Sequence, residues 1–182
     1  MAEEARLEES GSGLTPVSEG WFVVNVRDTA WRDHEMFGAD CRFEGPDAGF
    51  THLGINISVL QPGQPNCRYH RESLQEDFLV LSGECLVLVD GQERLLKAWD
   101  FVHCPPGVDH VFVGAGDGPC AILMTGARSE NEEIVYPVSE LALRHAAGVE
   151  VETASPAEAY AAFPSPTPGR PSGWETMPWA TG

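Results

Sequence analysis

From Leu53 the chain alternates. Leu53, Ile55, Ile57 and Val59 fall on one face of an extended segment and Gly54, Asn56 and Ser58 on the other, a period of two that marks a strand. Gln61-Pro62-Gly63 ends it, and further apolar runs follow at 76–81, 84–89, 92–96, 101–104, 111–113 and 121–125. Each is bounded by a turn signal: Ser82-Gly83, Asp90-Gly91, Pro105-Pro106-Gly107, then the glycine-rich loop 114–119. An Asp-Gly pair between apolar runs is a strong hairpin signal, because a type I′ turn needs positive φ at both central positions. Short strands at such intervals, with no long helical period, predict an all-β jelly-roll barrel over 53–128. Phe78 and Val80 follow Glu76 inward while Leu79 and Leu81 point the other way, so the outer face needs a cover. The cover is expected from the 21–26 strand, from the C-terminal segment or from a second subunit, and a homodimer is the expected assembly.

The ends differ from this centre. Residues 1–20 are charged, then rich in Ser and Gly, and read as a flexible N-terminal tail. Residues 21–52 read as an extension packing on the barrel, with a strand over the aromatic and β-branched run 21–26. Residues 129–182 read as a helical and proline-rich arm. A short helix is expected over 139–147, and Ser155-Pro156-Ala157-Glu158 has the cap, first-turn proline and capping-box glutamate of a second. Trp174, Met177 and Trp179 beyond it imply that the arm docks on its own barrel or on a neighbour's.

A chain of 182 residues fills one core with extensions. Its formal charge of −17, with a single lysine, Lys97, excludes nucleic acid and anionic membrane surfaces as partners, since both would repel it. Five widely spaced cysteines sit mostly in apolar runs where free thiols behave as small hydrophobes. With no secretory apolar run after Met1 and no membrane-length segment, a reducing cytoplasm is the expected setting.

The chemistry gathers between residues 69 and 110. In an extended His70-Arg71-Glu72 the first and third side chains share a face, Glu76 opens the next run, and His110 stands at the start of a later strand. Imidazole and carboxylate together suit a divalent first-row metal. A lone His-Xaa-Glu carries little weight; two motifs together carry more. His103 and Cys104 are adjacent on a strand, face opposite ways, and read as packing residues, as does Cys67. His34, His52 and His145 lack ligand-spaced neighbours. No Gly-Xaa-Ser-Xaa-Gly, phosphate loop or dinucleotide fingerprint occurs.

At these positions the chain resembles the cupin superfamily. The family's first motif runs here through Gly63, His70, Glu72, Glu76 and Gly83, and its second through Pro105-Pro106-Gly107-Val108-Asp109-His110. Glu72 replaces the second histidine, Trp99 the second motif's opening glycine, and Gly114 its closing asparagine. The resemblance implies a double-stranded β-helix and one divalent ion per chain on His70, Glu72, Glu76 and His110, zinc first, with iron or manganese behind it. It further implies a metal-dependent enzyme acting on a small polar organic substrate by isomerase, lyase or oxygenase chemistry, with no catalytic residue singled out. The other reading is a non-catalytic, metal-stabilised cupin that binds a small molecule.

Overall fold

The computed structural model describes residues 3–180. At the N-terminus β1 (Leu7–Glu9) and β2 (Leu14–Pro16) form a hairpin, and β3 (Trp31–His34), β4 (Gly38–Arg42) and β5 (Leu53–Leu60) follow. The central strands are β6 (Arg71–Glu72), β7 (Glu76–Ser82), β8 (Glu84–Val89), β9 (Gln92–Lys97), β10 (Phe101–Cys104), β11 (His110–Ala115) and β12 (Cys120–Ala127). After β13 (Ile134–Val135) come two short helices, α1 (Glu140–Arg144) and α2 (Pro156–Ala159), then β14 (Thr167–Pro168) and a 3-10 turn at Trp174–Thr176.

Two antiparallel sheets make the barrel. One has the order β10-β7-β12-β5-β4-β3-β14 and the other β11-β8-β9. Phe78, Val80, Leu60 and Ile122 of the first sheet pack against Cys85, Val87 and Phe112 of the second, closing the lower interior. The β8–β9 hairpin turns through Asp90 and Gly91 at φ of 44° and 73°, the positive pair that a type I′ turn requires.

Both outer faces are covered from within the chain. Ile57, Val59, Ala121 and Leu81 pack outward against Trp31, Met177, Trp174 and Trp179. On the second sheet Leu88, Val111 and Val113 pack against Ala142 of α1 and against Ala147. The cover over β5, β7 and β12 is therefore the tryptophan-bearing arm, docked on its own barrel. Trp31 is fully buried there, stacked on Trp179 at 5.6 Å and met edge-on by Trp174 at 5.5 Å.

Local details depart from the sequence reading in instructive ways. Residues 7–16, whose composition suggests a tail, pair as β1 and β2, and Ala5 is buried. The 21–26 run forms no strand: Trp21 makes a single bridge to Glu4, and Val23 is 81% exposed. The neighbouring strand β3 offers it no edge, since β3 is already flanked by β4 and β14. At Gly114, a Cβ would lie 2.1 Å from the Gln61 carbonyl oxygen, so the close approach of β11 to the end of β5 admits no side chain. Trp99 holds φ of 76°, a left-handed backbone in which glycine is at ease and tryptophan is strained.

Candidate metal centre and its cavity

Two strands, β7 and β11, and the bridge residue His70 just before β6 aim side chains at one point. A bridge joins His70 to His110, with backbone hydrogen bonds of 3.1 and 2.7 Å, and this sets the two imidazoles side by side at 4.8 Å between ring centres. Glu76, first residue of β7, shares an inward face with Phe78 and Val80 and so enters the same space. Its Oε2 lies 3.1 Å from His110 Nε2 and 3.8 Å from His70 Nε2.

Ligand atoms of His70, Glu76 and His110 all fall within 4.8 Å of one another, the one such group formed among the described residues. Glu72 is not part of it, although its Oε1 sits 3.7 Å from His70 Nε2 and its side chain is largely buried. Phe78 and Phe112 floor the site, with the Phe78 ring 5.3 Å from His110.

The donor set fits a divalent cation. His70 Nδ1 donates to the Arg68 carbonyl at 2.7 Å and His110 Nδ1 to the Val108 carbonyl at 3.0 Å. A carbonyl oxygen can only accept, so each Nδ1 carries hydrogen and each Nε2 is turned toward Glu76, the orientation that metal-binding histidines take. Two ligands each about 2.1 Å from a tetrahedral ion stand about 3.4 Å apart, and the 3.1 and 3.8 Å separations bracket that value.

Electrostatics point the same way. Burial first, then the neighbouring His110 charge, pushes His70 down to about 4, so its Nε2 keeps a free lone pair at neutral pH. Burial also opposes charge on His110, but hydrogen bonds with Cys104 and Glu76 and the Glu76 charge outweigh it and raise the ring to about 10. The proton on His110 Nε2 is the positive charge that a bound cation would displace. Burial, then the charges of Glu76 and Glu132, lift Glu72 to about 8.

A cavity of about 770 Å³ opens above the cluster, with His70, Glu72, Glu76 and His110 in its lining. Its upper wall is polar: Arg32, Asp40, Arg42, Asn56 and Ser58, from β3, β4 and β5, face inward. The C-terminal arm supplies the opposite rim through Tyr160 and Phe163, which pack on Phe37 of the barrel. The sequence reading nominated none of these wall residues. The polar face of the 53–60 alternation was the available signal; Tyr160 and Phe163 gave none.

The remaining candidates fall as their positions allow. His103 is exposed and contacts Asp77 at 2.6 Å, whereas Cys104 is buried in the core, so the two do face opposite ways. Cys67 borders the cavity 3.6 Å from His70 Nδ1, its thiol pushed well up by burial and then by the Glu76 and Glu72 charges. His34 lines the cavity mouth and contacts the Pro164 carbonyl at 2.9 Å, which ties the arm down. His145 pairs with Glu93 away from the cavity.

Known proteins share this architecture. Residues 56–126 match the family model described as Cupin domain. A sugar phosphate isomerase from a cupin superfamily of Silicibacter pomeroyi superposes with a TM-score of 0.58 at 23% identity, over 65% of this chain and 83% of that one. An RmlC-like cupin from Shewanella frigidimarina gives 0.49 at 21% identity, over 59% and 91%. A solved structure from Acidithiobacillus ferrooxidans gives 0.45 at 25% identity; the match covers 47% of this chain and 56% of that one's length. No curated protein matches the sequence significantly. Residues 56–126 match the Cupin domain, and this part of the chain has the double-stranded β-helix fold of the cupins, two antiparallel sheets closed around an inward-facing His/Glu/His cluster.

Proposed function

We propose that His70, Glu76 and His110 hold one divalent ion, with zinc first and iron or manganese behind it, and that the protein is an enzyme acting on a small polar organic substrate. The observation that carries this reading is the convergence of the three donors at the floor of a cavity of about 770 Å³, where they face open space instead of packed side chains. A purely structural site closes its coordination shell, whereas a catalytic one keeps a face toward its substrate. When bound, the ion supplies a Lewis acid for a carbonyl or hydroxyl oxygen.

The chain's own residues do the rest. Glu72, beside the cluster and lining the cavity, moves a proton to or from the carbon or oxygen next to the polarised group. His70 and His110 stay fixed by their Nδ1 hydrogen bonds, and Phe78 and Phe112 keep water from beneath the site. Proton transfer of this kind serves isomerisation and lyase chemistry alike. The Silicibacter relative is described as a sugar phosphate isomerase; its likeness at 23% identity carries the fold, and the reaction class here rests on the cluster and the cavity.

Self-association belongs to the same reading. Leu95, Trp99 and Phe101 are exposed on the edge strands β9 and β10 and the turn between them, a face suited to a second copy of the chain. Sedimentation equilibrium at micromolar concentration then gives twice the chain mass of 19.7 kDa, and a clean monomer sinks the dimer.

Metal analysis coupled to isotope exchange tests the enzyme reading. Purified protein carries about one equivalent of a divalent metal, and in D2O it incorporates solvent deuterium next to the carbonyl of small hydroxy-aldehydes or hydroxy-ketones. Glu72→Gln abolishes exchange while keeping metal. Stoichiometric metal with no exchange on any such compound would favour a non-catalytic cupin that binds without turnover.

A further inference from the structure

The upper wall of the cavity carries an uneven charge. Arg32 gives both bonds to Asp40 from one nitrogen, Nη2, at 2.8 Å each. Arg42, two positions along β4 from Asp40, approaches the same carboxylate only through Nε, at 3.5 Å. Two guanidinium groups therefore share one acid, which leaves about one net positive charge on this wall. On the floor the Glu76 carboxylate meets the His110 imidazole at 3.1 Å, so the unbalanced positive charge lies on the upper wall, opposite the His/Glu/His cluster.

Two polar atoms in this wall have no partner among the described residues. Arg32 Nε and Asn56 Oδ1 are buried and unbonded, one a donor and the other an acceptor, and both residues line the cavity. Asn56 lies directly opposite Arg42 in the β4–β5 register, and Arg32 lies opposite Asp40 in the β3–β4 register. Directly paired side chains on one face are neighbours, so the guanidinium and the amide oxygen face the cavity together. Buried polar atoms are usually bonded, and a pair that is not, on a cavity wall, marks where a ligand makes its contacts.

We infer that this wall is a recognition subsite for a substrate bearing an oxyanion and an adjacent hydroxyl, an assignment that rests on the reading of the cavity as a substrate pocket. The oxyanion, a carboxylate or a phosphate, sits on the open guanidinium of Arg42 and on Arg32 Nε; the hydroxyl donates to Asn56 Oδ1. That grip directs the other end of the molecule down to Glu72 and the His/Glu/His cluster. In a chain of net charge −17, an anion entering elsewhere meets repulsion, and this wall is where the sign reverses.

Calorimetric titration of the purified protein with inorganic phosphate, glycolate and acetate tests the subsite. Phosphate or glycolate binds, and Arg42→Gln weakens it about tenfold or more, with metal content unchanged. Asn56→Leu brings glycolate down to the affinity of acetate and leaves acetate unaltered. Tighter phosphate identifies the natural group as a phosphoryl, and tighter glycolate a carboxylate. Equal affinity in Arg42→Gln, or no anion binding by the wild type at 10 mM, overturns the inference; the exposed Arg42 side chain makes loss of fold an unsuitable excuse, and a thermal melt confirms it. Metal-loaded protein whose anion binding ignores Arg42 refutes the subsite alone. Metal-free protein whose binding still depends on Arg42 refutes the metal reading and leaves the subsite standing.

Discussion

The Tyr160 hydroxyl accepts a 2.9 Å hydrogen bond from the backbone N–H of Arg68, two residues before His70. The Arg68 guanidinium in turn donates to the Gly148 carbonyl at 2.6 Å and lies over the Phe163 ring at 4.6 Å. One arginine thus fastens the C-terminal arm to the segment that presents His70 to the His/Glu/His cluster. Tyr160→Phe keeps the ring packing and removes the acceptor, so it costs about 1 kcal/mol in a urea titration. No measurable change would mean that the Arg68 N–H finds water equally well and the tie is incidental.

The arm also covers the outer sheet, and Met177 measures how firmly. It is almost wholly buried among Trp31, Ile57 and Val59. Met177→Ala costs about 2–5 kcal/mol, as for other large-to-small changes in packed interiors. The readout is a shifted denaturation midpoint with an unchanged slope. A loss below about 0.5 kcal/mol would place Met177 on a loosely held surface strap instead.

Trp99 stands where the family motif has glycine, and the backbone shows what that replacement entails. Its φ of 76° costs a bulky residue about 1–2 kcal/mol, and with 74% of it exposed the indole regains little by packing. Trp99→Gly relieves the strain and loses some of the gain to the entropy of an unfolded glycine. The net expectation is stabilisation of up to about 1 kcal/mol, read as a higher melting temperature in dilute protein where subunits are apart. A lower melting temperature would show the exposed ring to be packed against something in solution.

How far the sequence could be read depended on how local each determinant is. Asp90-Gly91 and the two motifs act over a few residues, and hairpin, barrel and the His70/Glu76/His110 convergence were all legible from them. The inside and outside of β5 were not. Its apolar face, with Ile57 and Val59, turns outward because tryptophans from the far end of the chain cover it, and its polar face, with Asn56 and Ser58, lines the cavity. Alternation identifies two faces without saying which is inside, and that choice belongs to residues more than a hundred positions away. Tyr160 and Phe163 reach the cavity only through the same tertiary docking.

Acid should reveal the Glu44–Arg128 pair. Arg128 meets Glu44 with bonds of 2.6 and 2.8 Å, and the guanidinium, outweighing partial burial, holds the carboxyl below its usual range. A carboxyl with a folded-state pKa below its unfolded one stabilises the fold above the unfolded value of about 4.5, and that stability is lost as pH falls through the lowered value. Wild type therefore melts above Glu44→Gln at pH 7, and the gap narrows as the pH falls below about 4.5 and through the lowered value. Because Arg128 is partly exposed, salt narrows the gap at pH 7. A gap that persists unchanged at pH 3 would assign the effect to packing.

The proposed metal site offers the sharpest test. His110 is buried, its Nδ1 is committed to the Val108 carbonyl, and its Nε2 points at Glu76 from a strand of the other sheet. His110→Ala removes one of the two imidazoles and leaves only His70 and Glu76, facing each other across the site, so bound metal measured by elemental analysis falls from about one equivalent to a small fraction. Binding to the folded state alone adds stability that grows with metal concentration, so the wild type loses melting temperature on chelation while His110→Ala is indifferent to the chelator. His145→Ala, at a histidine paired with Glu93 away from the cavity, keeps its metal and controls for loss of a histidine as such. Glu72→Gln keeps metal as well if the three-residue group suffices, since Glu72 lies beside that group and not within it. Stoichiometric metal in His110→Ala would place the ion elsewhere in the chain and remove the Lewis acid from beneath the cavity; loss of metal in Glu72→Gln would instead make that carboxylate a fourth ligand.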